Sequence, residues 1–198
     1  MYNAAVLLDA ANKSESIELE INWRSFSLAQ NSSTEGPDWK AWEQPDESEV
    51  RGILALRGGE AARRQGPEAF GQYHMALLEA RHADRRDIGK RDVLVEIATE
   101  VGLDIAQFAE DLEDRSLIES IARDHLEAAE QHGVFGTPTF LFGNGRSAFL
   151  KILRTPPEEA PKLTKLLFEL MENWSYVGEI KRPQPPWPRG AYDSQSGS

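Results

Sequence analysis

Apolar residues alternate at period two near 17–23 of this 198-residue chain, the period also changes over 139–153, and the stretch from about 46 to 132 between them keeps the helical period. Ile17, Leu19, Ile21 and Trp23 alternate with Glu18, Glu20 and Asn22, which predicts a strand with one buried face. Thr139 to Phe142 and Ser147 to Leu153 are two further strand candidates. Gly143-Asn144-Gly145-Arg146 joins them, and its glycines allow the positive φ angles of a hairpin turn. Any sheet must therefore be assembled across a helical block, so the pattern predicts an α/β chain.

The helix signals are local and explicit. Val6, Leu7, Ala10 and Ala11 share one stripe of a helix over 2–12. Gly58-Gly59 is expected to break the first helix of the central block. Gly66-Pro67 opens the second, with Pro at the tolerated first position and Phe70, Tyr73, Leu77 and Arg81 along one side. Val93, Leu94, Ile97, Ala98 and Val101 form a third, which Gly102 ends. Asp104 with Gln107 and Ser116 with Glu119 have capping-box spacing, so two more helices are expected there. The last runs through Ile121, Ala122, His125, Leu126 and Ala129 to Gly133. Thr155-Pro156-Pro157-Glu158 is expected to cap a closing helix striped by Leu163, Leu166, Leu167, Leu170 and Met171. Residues 29–45 read as an irregular connection whose Trp39 and Trp42 pack back on the core. From Gly178 onward, Pro183, Pro185, Pro186 and Pro188 predict an extended tail.

Composition removes several functions. Twenty-two Lys plus Arg face thirty-three Asp plus Glu, a net charge of −11, and no basic run exists to displace counterions, so nucleic acid is not an expected partner. The stretch from Met1 to Asp9 lacks the charged region and apolar core of a secretory leader, and no run approaches the ~20 apolar residues of a membrane span. The expectation is a soluble cytoplasmic protein without a membrane partner. There is no cysteine, which denies these residues disulfides, thiolate nucleophiles and thiolate-held metals. His74 and His82, eight apart, and His125 and His132, seven apart, would stand ~12 and ~10.5 Å from each other on a helix, too far to share an ion. No metal site and no cofactor are expected. Nucleophile elbow, P-loop and His-Glu-X-X-His patterns are missing. Gly143 to Ala148 approximates a dinucleotide fingerprint but joins strand to strand, where that fingerprint must open a helix. Arg63-Arg64 and Arg85-Arg86, close to Glu60, Asp84 and Asp87, read as a solvated charged face. Asn12, Asn31 and Asn173 satisfy the glycosylation pattern, which means little without a secretory signal.

Gly133-Val134-Phe135-Gly136-Thr137-Pro138-Thr139-Phe140 resembles the cis-proline segment of DsbA-like thioredoxin-fold proteins. Trp23 to Leu28 is similar to the end of that family's second strand, and Gly66 to Phe70 with Ala76 to Arg81 to a helix of its inserted domain. Gly102-Leu103-Asp104 and the run from His125 into the proline segment add to the set. The likeness is nearest to the branch of FrnE-type oxidoreductases and 2-hydroxychromene-2-carboxylate isomerases and covers roughly residues 2 to 172. It implies an α/β, thioredoxin-like fold with an inserted all-helical domain. Residues 1–45 and 133–176 would then form the thioredoxin-like domain, 46–132 the helical insertion and 177–198 a Pro-rich tail. The resemblance also implies Gly136, Thr137 and Pro138 as substrate contacts, presenting backbone to an extended peptide or a small thiol substrate.

Redox members of that family carry Cys-X-X-Cys at the start of the first helix, where the helix end favours thiolate. Tyr2 to Leu8 matches the part of that helix just after the motif, so Met1 falls where the motif would end and the first β-strand would lie upstream. That leaves a gap of ~9–10 Å in the sheet. A native polypeptide starting before Met1 is the leading expectation; a strand donated by another chain, as in a homo-oligomer, and a different strand assignment stay open. In function, the chain is expected to be a DsbA-like thiol–disulfide oxidoreductase family protein whose catalytic cysteines are absent, with no catalytic residue of its own. The alternatives are a glutathione-dependent isomerase of the 2-hydroxychromene-2-carboxylate type and a non-catalytic peptide-binding thioredoxin-like module.

Overall fold

The computed structural model describes residues 1–181 apart from Glu15, Glu47, Glu49 and Arg51; the proline run expected at 183–188 lies outside the described residues. Two compact units are present, one made of Met1–Asn22 with Thr137–Ser198 and the other of Trp23–Gly136.

In the first unit α1 (Tyr2–Lys13) starts directly after Met1 and packs on α8 (Ala160–Asn173). Leu7, Ala11 and Ala160 are the buried centre, flanked by Ile17, Leu19, Ile152, Leu163 and Leu167. Glu159, not Thr155, holds the N-cap position of α8, after a 3-10 turn over Pro157–Glu159, and no side chain caps it. Prolines at 156, 157 and 161 lack N–H groups, so fewer donors need an acceptor there.

The sheet of this unit pairs β1 (Thr139–Leu141) with β2 (Ser147–Phe149), antiparallel, placing Thr139 opposite Phe149, Phe140 opposite Ala148 and Leu141 opposite Ser147. Gly145, at φ +80°, closes the turn by donating its N–H to Phe142 O at 2.9 Å. Phe140 and Phe142 meet Phe168 of α8 edge-on at 5.6 and 5.7 Å. These are the only strands among the described residues. The strand expected over 17–23 does not form. Ile17 and Leu19 turn towards the α1/α8 core while Glu18 and Glu20 face water, but Ile21, expected inside, is exposed, and no strand among the described residues lies alongside to complete a ladder. The backbone there is extended without being paired.

The second unit is helical: α2 (Leu28–Asn31), a 3-10 turn (Ala41–Glu43), α3 (Ile53–Arg64), α4 (Pro67–His82), α5 (Arg91–Glu100), α6 (Ile105–Glu113), α7 (Leu117–Leu126) and a π-turn (Glu127–Gln131). Tyr73, Leu77, Leu94, Ile97, Ala98, Phe108 and Leu112 are at the centre of its main core, and Ala41, Trp42 and Ile53 form a smaller one. Asp104 caps α6 by accepting from Gln107 N–H at 3.0 Å, and Gly102 takes φ +75° at the end of α5. Ser116 does not act as a side-chain cap; Asp114 accepts its N–H at 2.9 Å. Arg64 and Arg85 are exposed, while Arg63, Arg64 and Arg86 also make ion pairs or ring contacts. Arg64 reaches Asp111 and Asp114, Arg86 reaches Glu96 and Glu100, and Arg63 covers the Phe70 ring at 3.7 Å.

Gly58-Gly59 does not break α3, which runs through both. The reason is close approach: a Cβ on Gly58 would stand 2.7 Å from the Tyr73 hydroxyl. Tyr73 is fully buried, its hydroxyl has no partner among the described residues, and burial pushes the phenol pKa up. Gly58→Ala is therefore expected to lower the melting temperature, although alanine in a helix interior normally gains about 1 kcal/mol over glycine. Tyr73→Phe removes both the colliding atom and an unsatisfied hydroxyl, and should restore the Gly58→Ala variant. Thermal denaturation of the two single variants and the double tests this, since strictly additive effects would show that the two positions do not touch.

Candidate functional site

The proline corner is reached through a change of backbone type. α7 passes into the π-turn, Gly133 takes φ +63°, a left-handed conformation that favours glycine, and Val134 N–H donates back to Ala128 O at 2.9 Å. Val134 is thereby buried, while Phe135 is left 66% exposed. The Phe135 carbonyl accepts from Asn31 Nδ2 at 3.0 Å, which fastens the segment to the end of α2. Gly136, Thr137 and Pro138 follow, all half-buried, and the Thr137–Pro138 peptide is cis. Pro138 O accepts from Leu150 N–H at 3.1 Å. With Pro138, Phe140 and Phe142 thus directed at β2, the alternation of an antiparallel pair turns the backbone groups of Thr139 and Leu141 to the opposite edge.

A second set of contacts positions α2 from the other side. Residues 23–27 cross the helical unit with no strand beside them among the described residues, and side chains take up several of their polar groups. Trp23 O accepts from Arg63 at 2.9 Å; Arg24 meets Asp124 at 2.7 Å and Glu127 at 2.8 Å. Ser25 N–H donates to Asp124 at 3.1 Å and its hydroxyl to Glu60 at 3.1 Å. Ser27 N–H donates to His125 Nδ1 at 3.2 Å, and Ser27 Oγ caps α2 by accepting from Gln30 N–H. Accepting at Nδ1 requires an unprotonated nitrogen. Burial lowers the His125 pKa, Lys40 pushes the same way and Glu130 opposes. The ring packs between Phe26 and Trp42.

Of the sequence candidates, Gly136, Thr137 and Pro138 stay together as one stretch of chain. The histidines do not converge: His74 lies between Trp23 and Phe70, and His125 lies under α2. No group of three metal-ligating side chains occurs among the described residues, and no helix of the described residues is long and apolar enough to cross a membrane. Sequence reasoning missed Asn31 and the exposure of Phe135. Asn31 stands in a polar run, and its bond to a carbonyl on another part of the chain leaves no local pattern.

The model of a family described as the DSBA-like thioredoxin domain matches residues 2–153. Among curated proteins, the ClpXP adapter protein SpxH of Bacillus subtilis (strain 168) is 30% identical over 142 residues, covering 71% of this chain and 46% of that protein. The ClpXP adapter protein SpxH of Halalkalibacterium halodurans is 28% identical over 122 residues, 62% of this chain and 38% of its own length. The Na(+)/H(+) antiporter NhaA of Herminiimonas arsenicoxydans is 37% identical over 95 residues, 48% of this chain and 14% of its own length. The chain thus spans less than half the length of these curated relatives.

Proposed function

The chain belongs to the DSBA-like thioredoxin domain family, and from that membership we propose that it is a polypeptide-binding module that performs no disulfide exchange of its own. Disulfide exchange needs an attacking thiolate, and none of the 198 residues supplies one. The observation that carries the reading is a family member free of cysteine that keeps the Gly133–Phe140 segment. Two relatives named as adapters support a role in holding another protein, which we extend to this chain. Gly136, Thr137 and Pro138 are the contacts we assign to an extended polypeptide. Residues 46–132, which lie within the unit Trp23–Gly136, are in this reading the helical insertion of the fold. The likeness to FrnE-type oxidoreductases and hydroxychromene carboxylate isomerases stays a likeness of motifs.

The test uses fluorescein-labelled ribonuclease A, reduced and carboxymethylated so that it is an unfolded chain without free thiols. Its fluorescence anisotropy should rise on titration with the wild-type chain. Thr137→Arg should weaken capture about tenfold or more while leaving the melting temperature unchanged. A wild-type chain that leaves the anisotropy flat, or a Thr137→Arg variant that captures equally well, overturns the proposal.

A further inference from the structure

α8 spends only part of its circumference inside its own unit. Leu163 and Leu167 pack with Ala160 against α1, whereas Leu166, Glu169, Leu170 and Trp174 line a shallow groove on another stripe of the helix. Val177 completes the groove, because the chain turns back after α8 and Val177 N–H donates to Trp174 O at 3.0 Å. Leu166 is 59% exposed, Trp174 54% and Val177 43%, and Tyr176, beside Val177 in the chain, is 94% exposed. Trp174 and Tyr176 alone leave roughly 300 Å² in water, as much as the largest apolar patch of an ordinary monomer, and such patches mark interaction sites.

The groove holds one charge in a fixed place. Glu169 accepts from Asn173 Nδ2 at 2.9 Å on one oxygen and from Trp174 Nε1 at 3.1 Å on the other, and each oxygen keeps a lone pair for a further donor. Lys165, one turn before Glu169, is exposed. A stripe with a cation one turn ahead of an anion is complementary to itself run backwards. With two copies of α8 antiparallel about a two-fold axis between Leu166 and Leu170, Leu166 of each copy meets Leu170 of the other, and Lys165 of each comes to Glu169 of the other. A parallel pairing would oppose like charges. The distribution of charge favours the same unit: residues 1–22 and 137–198 hold nine Lys plus Arg against ten Asp plus Glu, whereas 23–136 hold thirteen against twenty-three. Two copies of a chain with a net charge of −11 meet with least repulsion through the near-neutral unit. We infer that this groove is the interface of a symmetric dimer, formed with a second copy of this chain by antiparallel packing of α8 on α8.

Sedimentation velocity of the full 198-residue chain from about 1 to about 200 μM should show a reversible monomer–dimer equilibrium in the micromolar range. Leu166→Ser and Trp174→Ser each remove a largely exposed side chain, so at the dilute end both should melt like the wild type, and both should weaken the dimer about tenfold or more. Lys165→Glu should weaken it about fivefold by setting carboxylates against each other. Adding Glu169→Lys should recover most of that loss, since the reversed pair is complementary again. A chain that stays monomeric throughout, a dimer that both serine variants leave unchanged, or a double variant no tighter than Lys165→Glu alone overturns the inference. So does a monomer whose melting temperature falls in Leu166→Ser, because another segment of the same chain would then fill the groove.

Discussion

Asp46→Ala is expected to lower the unfolding free energy by about 3 kcal/mol, read as a lower urea midpoint at unchanged slope. Arg57 is fully buried on α3, and Asp46 holds both of its terminal nitrogens, at 3.1 and 2.5 Å. Arg115 shares the same carboxylate at 3.0 Å. Burial alone would raise the Asp46 pKa, but the bond to Arg57 and the charges of Arg57, Arg115 and Arg91 outweigh it and hold the carboxyl below its ordinary value. Removing the carboxylate strands a guanidinium whose Nε already has no partner among the described residues. Arg57→Met, which deletes the buried charge and keeps the volume, should cost clearly less. The double variant should be more stable than Asp46→Ala alone. If Asp46→Ala alone changes nothing, the buried cation is solvated by some other route.

Acid should destabilise the protein well above the pH at which carboxylates protonate. Burial, reinforced by the Arg63 charge, lowers the His74 pKa from 6.5 to about 4, and burial also lowers His82 and His125. Each of these groups is neutral in the fold and gains a proton more readily when unfolded. Their contribution is therefore fully present above the unfolded pKa near ~6.5 and is lost as pH falls towards the folded value. For His74 the whole effect is roughly 3 kcal/mol. The depressed carboxyls of Asp46 and Asp114 act in a separate window, below the ordinary carboxylate pKa of about 4. Urea midpoints should drop between about pH 7.5 and about pH 4.5, and His74→Phe, which keeps a ring between Trp23 and Phe70, should flatten that dependence. Equal midpoints at the two pH values in the wild type would falsify neutral burial of His74.

The features legible in the sequence are those decided by near neighbours. Pro67 at the start of α4, Gly102 after α5 and Asp104 at the head of α6 each act within a turn of their own position. The hairpin around Gly145 is equally local. A strand is different, because alternation shows only which face is buried and pairing needs a second chain segment; hence 17–20 keeps its inside and outside without a ladder, and Ile21 turns to water. Gly58 misleads for a related reason, since the cause of the glycine is a tyrosine on the following helix. At the candidate site the Gly136-Thr137-Pro138 stretch is recognisable from its motif. The tie between the Phe135 carbonyl and an asparagine 104 residues earlier is one that no local rule could supply.

The lacing of residues 23–27 also restricts how the chain can be threaded. A strand in a ladder can shift register by two positions and still find chemically identical amides to bond. Here each backbone group is met by a different kind of side chain: a guanidinium at Trp23, a carboxylate at Ser25 and an imidazole at Ser27. A threading displaced by two would still offer these partners the same backbone groups, but it would take the Ser25 hydroxyl from Glu60 and the Arg24 guanidinium from Asp124 and Glu127. The extended segment is thus keyed to a single alignment, which leaves α2 and the residues after it only one place to begin.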